Sequence, residues 1–139
     1  MLFRSTFWQI DEKSELGTPD GWGVSFSLVS SNDDGWKPFL RGGWAQDGGS
    51  LYEASVSTGF GYTPRPGQAL LGVGLNWNRP NESTYDASLS DQYSLELFQQ
   101  LQLTEGVEIT PNVQVIRSPA LEPSDNWSVF FGLRLRAAL

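Results

Sequence analysis

The chain has 139 residues, a net charge of −7, six Trp, 15 Gly, and neither Cys nor His. One domain of ordinary size fits that length, and the acidic balance argues against a nucleic-acid partner, which needs clustered Lys and Arg. Without His or Cys, zinc sites of the usual kind, Ser-His triads and thiol nucleophiles are excluded, and charged residues, at 18%, fall below the ~25% of average domains.

No run approaches the ~20 apolar residues of a membrane-spanning helix. The opening Met1-Leu2-Phe3-Arg4-Ser5-Thr6-Phe7-Trp8 has no basic region followed by an apolar one, so no signal peptide is expected. A cytoplasmic chain, a mature piece and a start inside a longer protein all remain open. A weak strand is expected over 2–11. The first clear one is 22–30, where Trp22, Val24, Phe26 and Leu28 alternate with Gly23, Ser25 and Ser27. A second weak strand covers 37–46. In 52–62, Tyr52, Ala54, Val56, Phe60 and Tyr62 alternate with Glu53, Ser55, Ser57, Gly59 and Gly61. In 68–78, Ala69, Leu71, Val73, Leu75 and Trp77 face away from Gln68, Gly72, Gly74, Asn76 and Asn78. The segment 93–103 opposes Tyr93, Leu95, Leu97, Leu101 and Leu103 to Ser94, Glu96, Gln100 and Gln102. Its leucines and glutamines are good helix formers, but its period favours strand. In 107–115, Val107, Ile109, Val113 and Val115 oppose Glu108, Thr110, Asn112 and Gln114. In 127–135, Trp127, Val129, Phe131, Leu133 and Leu135 oppose Ser128, Gly132 and Arg134. Strict alternation places side chains on opposite faces in turn, which gives about eight strands in an all-β chain, with 1–139 read as one unit.

The connections at 31–36, 63–67 and 104–106 are short and carry Asp-Gly, Pro-Gly and Glu-Gly turn signals. Those at 12–21, 79–91 and 118–125 are long and polar, while 47–50 is short and breaks the rule. Tight turns at one end and long loops at the other suit an up-and-down transmembrane β-barrel.

Alternation alone fits two architectures. A soluble β-sandwich turns its apolar face inward; a transmembrane barrel turns it to lipid and keeps the polar face around a lumen. Strands of about ten residues favour the barrel, since ~9–11 cross a bilayer obliquely and soluble strands centre on ~5–6. Trp22, Trp44, Tyr52, Trp77, Tyr93 and Trp127 fall on the apolar parity near one end, as an interfacial aromatic belt would. The opposite parity holds Arg41, Glu53, Glu96, Glu108, Arg134 and Arg136, charges that a wet lumen tolerates. Two residues break the scheme: Gln99 lies at mid-strand on the lipid parity, and Pro111, with no N–H to give, suggests a bulge or a local edge.

Other motifs are weak. Asn32-Asp33-Asp34-Gly35 resembles a piece of a calcium loop but lacks the remaining ligands, so a type I′ or related turn is expected. Asn81-Glu82-Ser83 and Asn126-Trp127-Ser128 match the glycosylation sequon by chance. Glu53 and Glu96 could be imagined as a glycosidase pair, yet nothing places them at the required separation. No enzyme, cofactor or metal is expected.

The run from Asp91-Gln92-Tyr93-Ser94-Leu95-Glu96-Leu97-Phe98 through Leu101-Gln102-Leu103-Thr104 to Ile109-Thr110-Pro111-Asn112-Val113-Gln114-Val115-Ile116 resembles the end of a carbohydrate-selective porin of the OprB type. Ser118-Pro119-Ala120-Leu121, Val129-Phe130-Phe131-Gly132-Leu133-Arg134-Leu135-Arg136, Gly21-Trp22-Gly23, Arg65-Pro66 and Leu71-Gly72-Val73-Gly74-Leu75 add to the resemblance, which covers most of the chain. It implies a 16-stranded outer-membrane barrel admitting sugars and other small solutes by diffusion, of which about half is present, so Met1 is expected to lie within the parent barrel. The ending Arg136-Ala137-Ala138-Leu139 departs from the aromatic terminus common in outer-membrane barrels.

On this reading Arg41, Glu53, Asn76, Glu96, Gln100, Gln102, Asn112, Gln114 and Arg134 line the lumen, where weak hydrogen bonds let a sugar enter and leave. Each has a bracing role as an alternative, for example pairing of Glu96 with Arg134. The partners are small carbohydrates, outer-membrane lipid, and the remainder of a barrel or another chain, because open sheet edges are not tolerated in lipid. The competing readings are an eight-stranded anchoring barrel closed on itself and a soluble β-sandwich binding carbohydrate through exposed Trp.

Overall fold

The structure, a computed structural model, describes residues 1–64 and 69–137. The alternating segments form eight strands: β1 (Leu2–Ile10), β2 (Gly21–Val29), β3 (Trp36–Asp47), β4 (Tyr52–Tyr62), β5 (Leu70–Pro80), β6 (Gln92–Thr104), β7 (Val107–Arg117) and β8 (Trp127–Ala137). A single helical turn, α1 (Glu82–Tyr85), interrupts the loop after β5. The segment with helix-forming residues, 93–103, is strand, because its side chains have two opposed faces to satisfy. The expected turn at Arg65–Gly67, the strand start at Gln68 and the terminal Ala138-Leu139 lie outside the described residues.

Each strand pairs antiparallel with its sequence neighbour, in the order β1 to β8. β1 and β8 do not pair with each other, so the sheet is not closed. That rules out the self-closed eight-stranded barrel. No second sheet is present among the described residues, which removes the β-sandwich as well.

Cα partners across a ladder share a face, so register carries each face across the sheet. One row runs Phe26, Gly42, Val56, Trp77, Tyr93, Arg117, Trp127; another runs Arg4, Ser27, Arg41, Ser57, Asn76, Ser94, Ile116, Ser128. The first belongs to the apolar face, the second to the polar one. Among the described residues nothing covers the apolar face. Among the described residues the buried apolar side chains are Ala45 and Ala120, whereas Phe131 is 85% and Leu133 73% exposed. The accessible surface, 9688 Å² for 15.4 kDa, exceeds the about 7,200 Å² of a folded soluble monomer of that mass. The described residues enclose no interior of their own.

The polar face is the inside of a curl. Lys37, Phe39 and Arg41 of β3 and Arg134 and Arg136 of β8 line one cavity of about 600 Å³ together with residues of β4 to β7. In a flat sheet those strands would stand five spacings, about 24 Å, apart. Sharing one cavity requires the sheet to bend with its polar face concave.

The turn expected at Asn32–Gly35, type I′ or related, is of the related kind. Asn32–Gly35 closes with Gly35 N–H donating to Asn32 O (3.1 Å), but only Gly35, not Asp33 or Asp34, has positive φ. It is therefore an ordinary β-turn followed by a left-handed Gly, as in three-residue hairpins, and not type I′. The double left-handed turn lies at Asp47–Ser50, where Gly48 (φ 66°) and Gly49 (φ 71°) are the central residues. Pro111 behaves differently from expectation. Phe98↔Asn112 and Leu101↔Ile109 keep one register on either side of it, and Pro111 itself stays opposite Leu133 of β8. The missing N–H interrupts the β6–β7 ladder locally without shifting it. The bulge in that ladder sits instead at Gln102–Thr104.

Candidate functional site: the concave polar face

Two cavities tile the concave face and meet at Arg41. The first, about 540 Å³, is lined by Arg4, Thr6, Ser25, Ser27, Arg41, Ser55 and Ser57, among others. The second is the cavity of about 600 Å³, which adds Lys37, Glu96, Gln100, Glu108, Asn112, Arg134 and Arg136. Small residues keep this wall low between its long polar side chains. At Gly72 the ring of Phe98 lies across the position a Cβ would need, and at Gly23 the ring of Trp8 does the same.

Register puts Arg41, Asn76, Glu96, Gln100, Gln102, Asn112, Gln114 and Arg134 on the polar face. Some are already engaged. Asn112 Nδ2 donates to Glu96 Oε1 (2.8 Å), Asn76 Nδ2 to Ser94 Oγ (3.1 Å), and Gln102 Nε2 to Thr104 O (2.6 Å). Glu96 does not pair with Arg134: their strands are separated by β7, and Asn112 occupies the carboxylate. The ion pair among the described residues is elsewhere, between Arg79 and Asp91 (3.6 Å). For Glu53 the register assigns no face. A bulge leaves it without a Cα partner on β5, between Tyr52↔Pro80 and Ala54↔Arg79. The same bulge turns Tyr52 to the parity of Pro80 and Asn78, the polar one, so it leaves the aromatic set of the other face.

The remaining five aromatic residues stay on the apolar face near the long-loop end. Trp22 and Trp44 pack edge to face (4.8 Å between rings). Trp77, Tyr93 and Trp127 border one groove with Arg117. Trp77 Nε1 donates to Asp91 Oδ2 (2.9 Å), tying this ring to the loop after β5. At the opposite end Trp36 meets Phe60 (5.0 Å) and Tyr62 (4.7 Å) on the same face. That second aromatic level escaped the sequence reading, which attended to the long-loop end alone; Trp36 at the entrance to a weak strand was its one signal. Two girdles bounding an apolar band are the arrangement found in outer-membrane barrels.

A family model described as Carbohydrate-selective porin, OprB family, matches residues 20–139. The chain belongs to this family. No curated protein and no solved structure matches it. OprB-family porins are channels rather than enzymes, and the eight-stranded up-and-down sheet is consistent with part of a porin barrel.

Two long loops of this OprB-family chain fold over the rim of the polar face. Ser83 Oγ donates to Asp47 Oδ1 (2.7 Å) and Thr84 Oγ1 to Ser50 O (2.7 Å), so α1 sits on the β3–β4 turn. Asn81 caps α1, accepting from Ser83 N (3.2 Å). At the other loop the buried Gln92 accepts from Ala120 N (3.0 Å) through Oε1. The sequence reading also missed Arg4 and Lys37 on the wall. Both lie in the two weakly alternating strands, β1 and β3.

Proposed function

We propose that the chain forms part of the wall of an outer-membrane pore through which carbohydrates and other small solutes diffuse passively. The observation that carries this is the contrast of its faces: a concave polar wall, and a convex apolar surface with nothing packed on it. Water would oppose the exposure of so many contiguous apolar side chains; hydrocarbon would not. The lumen-facing set is Arg41, Asn76, Glu96, Gln100, Gln102, Asn112, Gln114 and Arg134, with Glu53 at the rim. Trp22, Trp44, Trp77, Tyr93 and Trp127 form the belt at the lipid boundary, with Tyr52 assigned to the inner rim. Since the edges of β1 and β8 have unpaired backbone groups, further strands complete the barrel.

The test is swelling in isotonic sugar of liposomes containing the completed barrel, this chain together with the strands that pair with β1 and β8. Swelling in glucose that slows with larger saccharides is expected. Swelling no faster than in protein-free liposomes would overturn the proposal.

A further inference from the structure

The wall and the loops carry opposite charge. Of nine basic residues, Arg4, Lys37, Arg41, Arg134 and Arg136 line the two cavities, against the carboxylates Glu96 and Glu108. The three long loops, 11–20, 81–91 and 118–126, hold nine of the 16 acidic residues and one basic one. A chain of net charge −7 thus presents a cationic inner face.

We infer that the pore has a subsite for carbohydrates bearing an anionic group, a uronate or a sugar phosphate, between Arg4 and Arg41. This rests on the porin reading above. Arg4 and Arg41 flank Ser27 in one cross-strand row, two strand spacings or about 10 Å apart. Guanidinium groups bind planar or tetrahedral oxyanions through paired N–H donors. Neither Arg is in an ion pair among the described residues, so no carboxylate among those residues holds their donors. Arg41 instead lies over the ring of Phe39 (5.4 Å), which leaves its edge open. The hydroxyls of Thr6, Ser25, Ser27, Ser55 and Ser57 surround the pair and suit sugar hydroxyls. The cavity of about 540 Å³ is of small-ligand size. The acidic loops act on solutes in open water, where salt screens charges beyond about 8–10 Å; the arginines act inside the wall.

The test uses the completed barrel, this chain together with the strands that pair with β1 and β8, inserted from detergent into planar bilayers in a potassium chloride gradient. A reversal potential of the sign that marks chloride preference is expected. Glucuronate and glucose 6-phosphate are expected to block the current at concentrations about fivefold or more below glucose. Arg4→Gln with Arg41→Gln should remove that advantage, bringing both acidic sugars to the concentration at which glucose blocks the same variant, while Arg41→Lys keeps the sign of the reversal potential. Block by glucose 6-phosphate matched by inorganic phosphate, without block by glucuronate, overturns the sugar-acid subsite. A potassium-selective channel, or equal block by glucose and glucuronate, overturns the inference and leaves the porin reading standing. Absence of any conductance overturns both.

Discussion

Gly72 and Phe98 illustrate how single residues set the height of the wall. The Phe98 ring fills the space above Gly72, so a β-branched side chain there forces the ring off the wall and into the solute path. Gly72→Val is expected to lower single-channel conductance, and Phe98→Ala on that background to restore most of it; conductance of the two variants checks the coupling. Tyr85 gives a second case. Its hydroxyl is buried without a hydrogen-bond partner, and burial first, then the neighbouring Tyr52, pushes it above its ordinary value of 10.0. The folded chain therefore holds this proton more tightly than the unfolded one, so stability is level below pH 10 and declines above it. Tyr85→Phe should match or exceed the wild type at neutral pH and lose part of the alkaline decline, as read from urea unfolding at both pH values.

The Asp47–Ser50 turn decides the geometry of the β3–β4 hairpin. Gly49 has φ 71°, a conformation costing a side-chain-bearing residue about 1–2 kcal/mol. Gly49→Val is expected to destabilise the protein by that amount, measurable as a lower urea midpoint in micelles. Much at this scale was legible in the sequence, because alternation is a direct imprint of two faces meeting different surroundings. Six of the strands rest on it. The bulge at Glu53 was not legible: nothing in Tyr52-Glu53-Ala54 marks an extra residue, and one unpaired position reverses the parity of Tyr52. Pro111 was legible as an anomaly, but only the register shows that the sheet absorbs it without bending the ladder. The cationic wall was half legible: Arg134 and Arg136 sit in the clean alternation of β8, while Arg4, Lys37 and Arg41 lie in the two weakly alternating strands.

For the whole molecule, the absence of an interior is the governing fact. Five of the six tryptophans, Trp22, Trp36, Trp44, Trp77 and Trp127, lie on the apolar face, and Trp8 alone lies on the polar one. In bilayers, lipids brominated near the headgroup should quench single-Trp variants at the five positions. Trp8 should respond instead to aqueous iodide. Quenching of Trp8 by lipid would mean that the faces are assigned the wrong way round. The count of strands has a further consequence. Because eight is even and every pairing is antiparallel, β1 and β8 run in opposite directions. Whatever joins β8 back to β1 with antiparallel pairing throughout must then contribute an even number of strands. The outer ends of β1 and β8 also lie at the same end of the sheet, that of the tight turns. Completion of the ring is thus a problem of parity, and an odd insert would leave one parallel seam.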